Sequence, residues 1–122
     1  MANNIPANIR KLMLSKIGYL PIIIKLEKSN ITISEEIIMS AIELLNHETN
    51  KCLPQNCSHD GISKTKDGLD KELKLKLKTT FSYAKYVSDV LTEKGITEII
   101  YVQSKYSHVK IKGIKLLDQW IW

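Results

Sequence analysis

The sequence predicts a mainly helical α+β fold in a single domain. Apolar residues recur at helical spacing over most of the 122 residues, whereas two segments of the last third have the composition or the alternation of β-strands. A chain of this length builds one hydrophobic core and is too short for two ordinary domains. We therefore expect helices to form most of the structure and two strands to follow them.

The composition is that of a globular protein. Hydrophobic residues make up 43% of the chain and charged residues 25%, both close to the average for soluble domains. No run approaches the roughly 20 apolar residues of a membrane-spanning helix, and the N-terminus lacks the basic and apolar regions of a signal peptide. We expect no membrane partner, and a protein of the cytoplasm, or of the nucleus if the source is a eukaryote.

The net charge of +5 lies entirely in the second half of the chain. Residues 1–62 contain six basic and six acidic side chains, whereas residues 63–122 contain twelve lysines and seven acids. A neutral half beside a basic half indicates an assembly region next to a surface for a polyanion. The alternative is a solvated lysine-rich surface of the kind that an AT-rich genome encodes.

Two helices are predicted before residue 30. Pro6 suits the first turn of one helix, and Gly18 is well placed to end it. The very apolar segment 20–28 is expected to form a second, buried helix. Residues 30–34 interrupt the pattern.

A third helix is predicted to end near His47. Thr32 or Ser34 can cap its N-terminus, and two glutamates follow in the first turn, where the helix dipole favours them. Isoleucines and leucines then supply a broad apolar face. We expect residues 1–47 to form the core and the interface of a homodimer, because two-fold dimers are the commonest oligomers.

Residues 48–68 are predicted to be a long loop, because glycine, proline and small polar residues dominate them. His47, Cys52, Cys57 and His59 place four potential zinc ligands within thirteen residues. Structural zinc sites usually take ligand pairs from two separated segments, and a disulfide would require an oxidising compartment. No metal or other cofactor is predicted, although a metal and a disulfide both stay open.

Two further helices are predicted after the loop. Leu69, Leu73 and Leu77 are spaced by four and form one helical face, although the alternation in residues 73–77 leaves a strand open. A polar break at residues 78–80 precedes a second helix, which Gly95 ends. The apolar face of this second helix comprises Phe81, Ala84, Val87 or Ser88, and Leu91.

The C-terminal part is predicted to contain two strands and a last helix. Residues 96–102 are rich in β-branched and aromatic side chains, and residues 108–112 alternate between apolar and basic. A polar turn separates them at 103–107. Gly113 allows a bend or bulge, and residues 114–122 are expected to form a short helix that carries two tryptophans into the core.

In the second half of the chain, the predicted elements follow one another as helix, turn, helix and two strands. A leucine-bearing helix precedes a short turn, and the next helix ends in Leu91-Thr-Glu-Lys-Gly95-Ile96 before two strands. Over about residues 63–122 this order resembles the winged helix-turn-helix superfamily. The resemblance implies a small transcriptional regulator that binds duplex DNA through residues 69–122 and carries additional N-terminal helices.

The resemblance also implies which side chains contact DNA. A recognition helix offers polar and basic side chains to the major groove, and a wing reaches the neighbouring minor groove or backbone. Ser, Thr, Tyr and Lys commonly hold phosphates. The alternatives are that the two helix tyrosines are half-buried core residues and that the wing histidine is an ordinary surface residue. The expected contacts are Thr79, Thr80, Ser82, Tyr83, Lys85 and Tyr86 at the helix, and Lys105, Tyr106, His108, Lys110 and Lys112 at the wing.

An all-helical fold is the alternative. Residues 17–26 and 41–45 resemble armadillo-type helical repeats, and residues 94–100 with 114–120 resemble a second copy. The leucine–tryptophan ending also resembles the N-terminal domain of transcription factor TFIIS and the VHS trafficking domain. This alternative implies an adaptor that binds acidic-hydrophobic peptides, and it requires a helix at residues 109–117.

No enzymatic activity is predicted. The sequence lacks a glycine-rich phosphate loop, a His-Glu-x-x-His zinc motif and a serine-elbow motif. Isolated residues such as His47, Cys57 and Asp60 form no pattern that a catalytic scheme needs.

Overall fold

The structure, a computed structural model, describes residues 5–57, 66–103 and 108–122 and shows an α+β fold. Within these ranges, no helix has the length and apolar character needed to cross a membrane. The helices are α1 (Ala7–Ile17), α2 (Glu35–His47), α3 (Leu69–Leu77) and α4 (Ala84–Glu93), and a 3-10 turn spans Asp118–Trp120. The strands are β1 (Ile22–Lys25), β2 (Asn30–Ile33), β3 (Cys52–Pro54), β4 (Thr97–Gln103) and β5 (Lys110–Leu116).

The first and third predicted helices are confirmed as α1 and α2, with the expected ends. Pro6 directly precedes α1, and Gly18 ends it with φ of 91°, a conformation that glycine adopts without steric cost. The Ser34 hydroxyl caps α2 by accepting a hydrogen bond from the Ile37 backbone N–H at 3.3 Å. These boundaries follow from capping chemistry that is local in the sequence.

The predicted second helix is wrong, because residues 22–33 form an antiparallel hairpin of β1 and β2. The run of three isoleucines in β1 is β-branched, a composition that favours strands over helices. In β2, Ile31 and Ile33 are buried while Asn30 and Thr32 face solvent. This alternation with period two fits a strand on the core and not the break that we expected.

The predicted loop of residues 48–68 contains the strand β3. It pairs with β5, which lies in the middle of a three-stranded antiparallel sheet of order β3-β5-β4. Gly113 lies within the regular ladder and is therefore neither a bend nor a bulge. A Cβ atom at this position would lie 2.7 Å from the Leu53 carbonyl oxygen, so the glycine allows β3 and β5 to approach closely.

The predicted last helix is also wrong, because residues 114–116 continue β5. Ile114 and Leu116 are fully buried and lie on the same strand face as Lys110 and Lys112, which are exposed because this face extends beyond the core. A strand at this position excludes the all-helical fold. Only the 3-10 turn remains helical, and there Trp120 is buried and donates a hydrogen bond from Nε1 to the Gly95 carbonyl at 3.0 Å.

Helix α2 lies at the centre of the hydrophobic core. Ile38, Ala41, Ile42 and Leu45 are completely buried in it. Both halves of the chain contribute to the same cluster, since buried side chains from α1 and β2 join those from α3, α4 and β5. The core therefore holds α3, α4 and the β4–β5 hairpin in fixed relation to the N-terminal segments.

Candidate functional site

Helices α3 and α4 are joined by a connection of six residues, 78–83. Lys78 leaves α3 in the left-handed conformation, with φ of 55° and ψ of 48°. The Thr79 hydroxyl then accepts a hydrogen bond from the Phe81 backbone N–H at 3.1 Å. This local bond competes with helical hydrogen bonding, which explains why α4 begins at Ala84 and not at Phe81 as predicted.

The later start of α4 changes where the predicted contacts lie. Thr79, Thr80, Ser82 and Tyr83 belong to the connection and not to the outer face of the helix. Lys85 is exposed and Tyr86 is half-buried in the first turn of α4. Phe81 was expected in the core and is instead 43% exposed.

A buried polar cluster lies beneath the connection. The Lys74 Nζ and Asp70 Oδ2 atoms are 2.9 Å apart, and both side chains are fully buried. The Ser82 hydroxyl donates a hydrogen bond to Asp70 at 3.3 Å. Burial raises the pKa of the nearby Cys57 thiol, and the negative charge of Asp70 raises it further. A hydrogen bond with the Lys85 backbone acts in the opposite direction and lowers this pKa. These contacts attach the start of α4 to α3 and to the segment that follows β3.

An aromatic cluster of Phe81, Tyr83 and Tyr86 lies on the outer side of the connection. The Phe81 ring is 4.6 Å from that of Tyr83, at an angle of 59°, and 6.4 Å from that of Tyr86, at 17°. Both tyrosines are half-buried and pack against the core. This agrees with the alternative interpretation, in which they are half-buried core residues. The cluster forms one wall of a groove of about 510 Å³, and β2 forms the other wall.

The β4–β5 hairpin carries a second group of exposed side chains. Its ladder runs from Thr97 opposite Leu116 to Gln103 opposite Lys110. At the base of the hairpin, the hydrophobic core covers the sheet face that is turned toward the helices. Because side chains alternate along a strand, this face continues beyond the core as Tyr101, Gln103, Lys110 and Lys112, all exposed.

The hairpin confirms that Lys110 and Lys112 share one face of a strand, and it adds Tyr101. Tyr101 is 66% exposed and lies directly opposite Lys112. Tyr101 was not among the predicted contacts, and only the pairing register places it beside the lysines. His108 is exposed near the end of the hairpin, whereas Lys105 and Tyr106 lie outside the described residues.

The lysines of the second half differ in whether an acid neutralises them. In α3, Lys71, Lys74 and Lys76 form ion pairs with Asp67, Asp70 and Glu43. Within the described part of the chain, Lys85, Lys110 and Lys112 form no ion pair. Lys78 is likewise exposed and without an ion pair among the described residues, so the available positive charge lies at both ends of the α3–α4 connection and on the hairpin. Asp89, exposed one turn after Lys85, offsets part of it.

The residues considered as metal ligands do not come together where the structure describes them. His47 is exposed at the end of α2, and Cys52 and Cys57 are free thiols. Across residues 5–57, 66–103 and 108–122, no group of three or more His, Cys, Asp or Glu side chains forms a metal site. His59 lies outside these ranges.

No protein-family model matches the chain, and searches of curated proteins and of solved structures found no similar protein. Its function is therefore inferred from the geometry of the helix pair and the hairpin.

Proposed function

We propose that the chain is a winged helix-turn-helix protein that binds duplex DNA, as small transcriptional regulators do. The proposal is carried by the face of the β4–β5 hairpin that continues beyond the core. There, two lysines without acidic partners in the described chain alternate along one strand, and Tyr101 lies opposite one of them. A row of this kind suits the phosphates of a DNA backbone.

The order of elements supports the winged helix assignment. A helix pair, α3 and α4, is followed directly by an antiparallel hairpin, and β3 anchors this hairpin on the side of β5. In helix-turn-helix proteins the second helix enters the major groove, and its N-terminal residues contact base edges. In this chain, those positions are Lys85 and Tyr86, with Thr80 in the preceding connection.

The chemistry of these side chains suits DNA. Lysine neutralises phosphates or hydrogen-bonds guanine edges, and threonine and tyrosine hydroxyls hold phosphate oxygens. Asp89 on the outer face of α4 repels phosphates but can accept a hydrogen bond from the cytosine amino group. We therefore place phosphate binding mainly on the hairpin and base contacts at the start of α4.

The test compares lysines on the two faces of β5. The double variant Lys110→Ala/Lys112→Ala should bind a labelled duplex less tightly and reduce the slope of log affinity against log salt by about two. Lys115→Ala is the matched control, since Lys115 lies in the same strand on the opposite face, across from Glu98. Fluorescence anisotropy at several salt concentrations measures the affinity of both variants for the duplex and its dependence on salt. Equal effects of the two variants, or no binding at about 50 mM salt, would contradict the proposal.

The N-terminal half is proposed to form a homodimer. Leu12, Tyr19 and Ile23 are 60%, 98% and 57% exposed, although all three are large and hydrophobic. They belong to α1, to the segment after it and to β1, away from the β4–β5 hairpin in sequence. A two-fold dimer through this region would present two DNA-binding modules to two half-sites.

A further inference from the structure

The groove between β2 and the α3–α4 connection is not explained by phosphate binding on the hairpin. The chain has one phenylalanine, and this residue, Phe81, lies 43% exposed in the groove wall. Leu26, at the end of the β1–β2 hairpin, is 41% exposed in the opposite wall. An apolar side chain in a DNA major groove contacts a thymine methyl group, whereas apolar and aromatic side chains on both walls of a groove suit a flat aromatic ligand group.

We propose that this groove binds an unpaired nucleobase, so that the chain binds DNA most tightly where a duplex contains one. The inference rests on the proposed DNA binding and deepens it by naming the form of DNA. In a continuous duplex, neighbouring bases cover both faces of every base. An aromatic wall can stack only on a base that has left the stack, or that was never paired.

The ring geometry suits stacking. The Phe81 and Tyr86 rings are nearly parallel, at 17°, so a base that stacks on Phe81 lies parallel to Tyr86 as well. Tyr83 is inclined to Phe81 by 59° and supports it from the side. Stacking of this kind tolerates any base, because every base has an aromatic face.

The opposite wall supplies polar groups for the edge of a base. Ser29, Asn30 and Thr32 line the groove from β2 and its preceding turn. Their hydroxyl and amide groups donate and accept hydrogen bonds. A base between the two walls would therefore have a stacking partner on its face and polar partners along its edge.

The groove adjoins the surface that we assign to DNA. Tyr86 lines it, and the exposed Lys85 precedes Tyr86 in the same helical turn. On the other wall, the exposed Lys28 precedes Ser29. Lysines on both sides can hold the phosphates that flank an unstacked nucleotide. Glu27 and Asp89 lie near these lysines in sequence and offset their charge. Stacking, and not net charge, must therefore supply the preference for an unpaired base.

The proposal is tested with two labelled duplexes of the same sequence, of which one contains a single extra unpaired thymine at its centre. The protein should bind the bulged duplex about tenfold more tightly than the paired duplex, the gain expected from stacking one base. This comparison uses the unmodified chain. Equal affinity for the two duplexes would overturn the inference and leave the proposed duplex binding standing, whereas binding to neither at low salt would overturn both.

Variants locate the preference. Phe81→Ala should abolish it and leave the affinity for the paired duplex within about twofold, whereas Phe81→Trp should retain it because it keeps an aromatic face. Leu75→Ala is the control, since Leu75 is 52% exposed on α3 and does not line the groove. Lys110→Ala/Lys112→Ala should weaken binding to both duplexes equally. A Phe81→Ala variant that folds and keeps the full preference would overturn the assignment to this groove.

Discussion

Lys74 and Asp70 form an ion pair that is completely removed from solvent. Their spacing of four residues places both on the same side of α3, where the side chains meet. Removing two charges from water is costly, and the pair is tolerated because each charge compensates the other. The hydrogen bond from Ser82 connects the pair to the α3–α4 connection and so joins the residues before α4 to α3.

Lys74→Met should lower the free energy of unfolding by about 3–5 kcal/mol, because it leaves the buried Asp70 carboxylate without its ammonium partner. The double variant Asp70→Leu/Lys74→Met removes both charges and should recover most of this loss. Lys76→Met is the control. Its ion pair with Glu43 is partly exposed and should contribute only about 0–1 kcal/mol. Urea denaturation measures all three, and a double variant as unstable as Lys74→Met would contradict this account.

The position of the β4–β5 hairpin depends on its pairing with β3, a strand of only three residues. β3 pairs with β5 only at its base, from Cys52 opposite Lys115 to Pro54 opposite Gly113. The Gln55 backbone N–H extends this pairing by donating to the Lys112 carbonyl at 3.0 Å. Because Lys112 lies at the end of this pairing and Lys110 beyond it, the orientation of both lysines depends on the close approach at Gly113.

Gly113→Ala should lower the free energy of unfolding by about 1–3 kcal/mol, the usual cost of overpacking. The added methyl group would lie 2.7 Å from the Leu53 carbonyl oxygen, a backbone atom that moves only if β3 moves. Lys112→Ala, at the neighbouring exposed position of β5, should change the free energy of unfolding by less than about 0.5 kcal/mol. Thermal or urea unfolding followed by circular dichroism compares them. Equal stability of Gly113→Ala and the unmodified chain would show that β3 does not constrain the hairpin.

At the scale of the whole molecule, net charge is divided unequally between the two halves of the chain, whereas both halves carry exposed large apolar side chains. The net charge of residues 1–62 is zero, and four large apolar side chains of that half are exposed, among them Leu12, Tyr19 and Ile23. The second half has the excess of lysines. Neutral apolar surface favours self-association, whereas unpaired positive charge favours a polyanion. The neutral first half is therefore the better candidate for the proposed dimer contact, and the basic second half for the proposed contact with DNA.

Light scattering should therefore show a dimer at high micromolar concentration. Tyr19→Glu/Ile23→Glu should convert it to a monomer without changing the circular dichroism spectrum, because both side chains are largely exposed. The control is Leu75→Glu, which places the same charge on an exposed apolar position of α3 and should leave the dimer intact. A monomeric unmodified chain under these conditions would contradict the dimer.

The sequence by itself determined the helices and the last hairpin. Gly18 and Ser34 define the end of α1 and the start of α2, and leucines spaced by four define α3. Gly95, with φ of 77°, follows the end of α4, and residues 110–112 of the alternating segment belong to β5. These features were predictable because caps, glycine ends and side-chain periods act over a few neighbouring residues.

Only the tertiary structure decided which residues pair and which are buried. The apolar segment at 20–28 became part of a hairpin because β2 was available to pair with it and the core accepted Ile31 and Ile33. The register of β4 and β5 brought Tyr101 opposite Lys112, and the contact of Lys74 with Asp70 took one lysine out of the basic surface. The register of a hairpin and the burial of an ion pair depend on how the rest of the chain packs around them, so residue spacing alone does not reveal them.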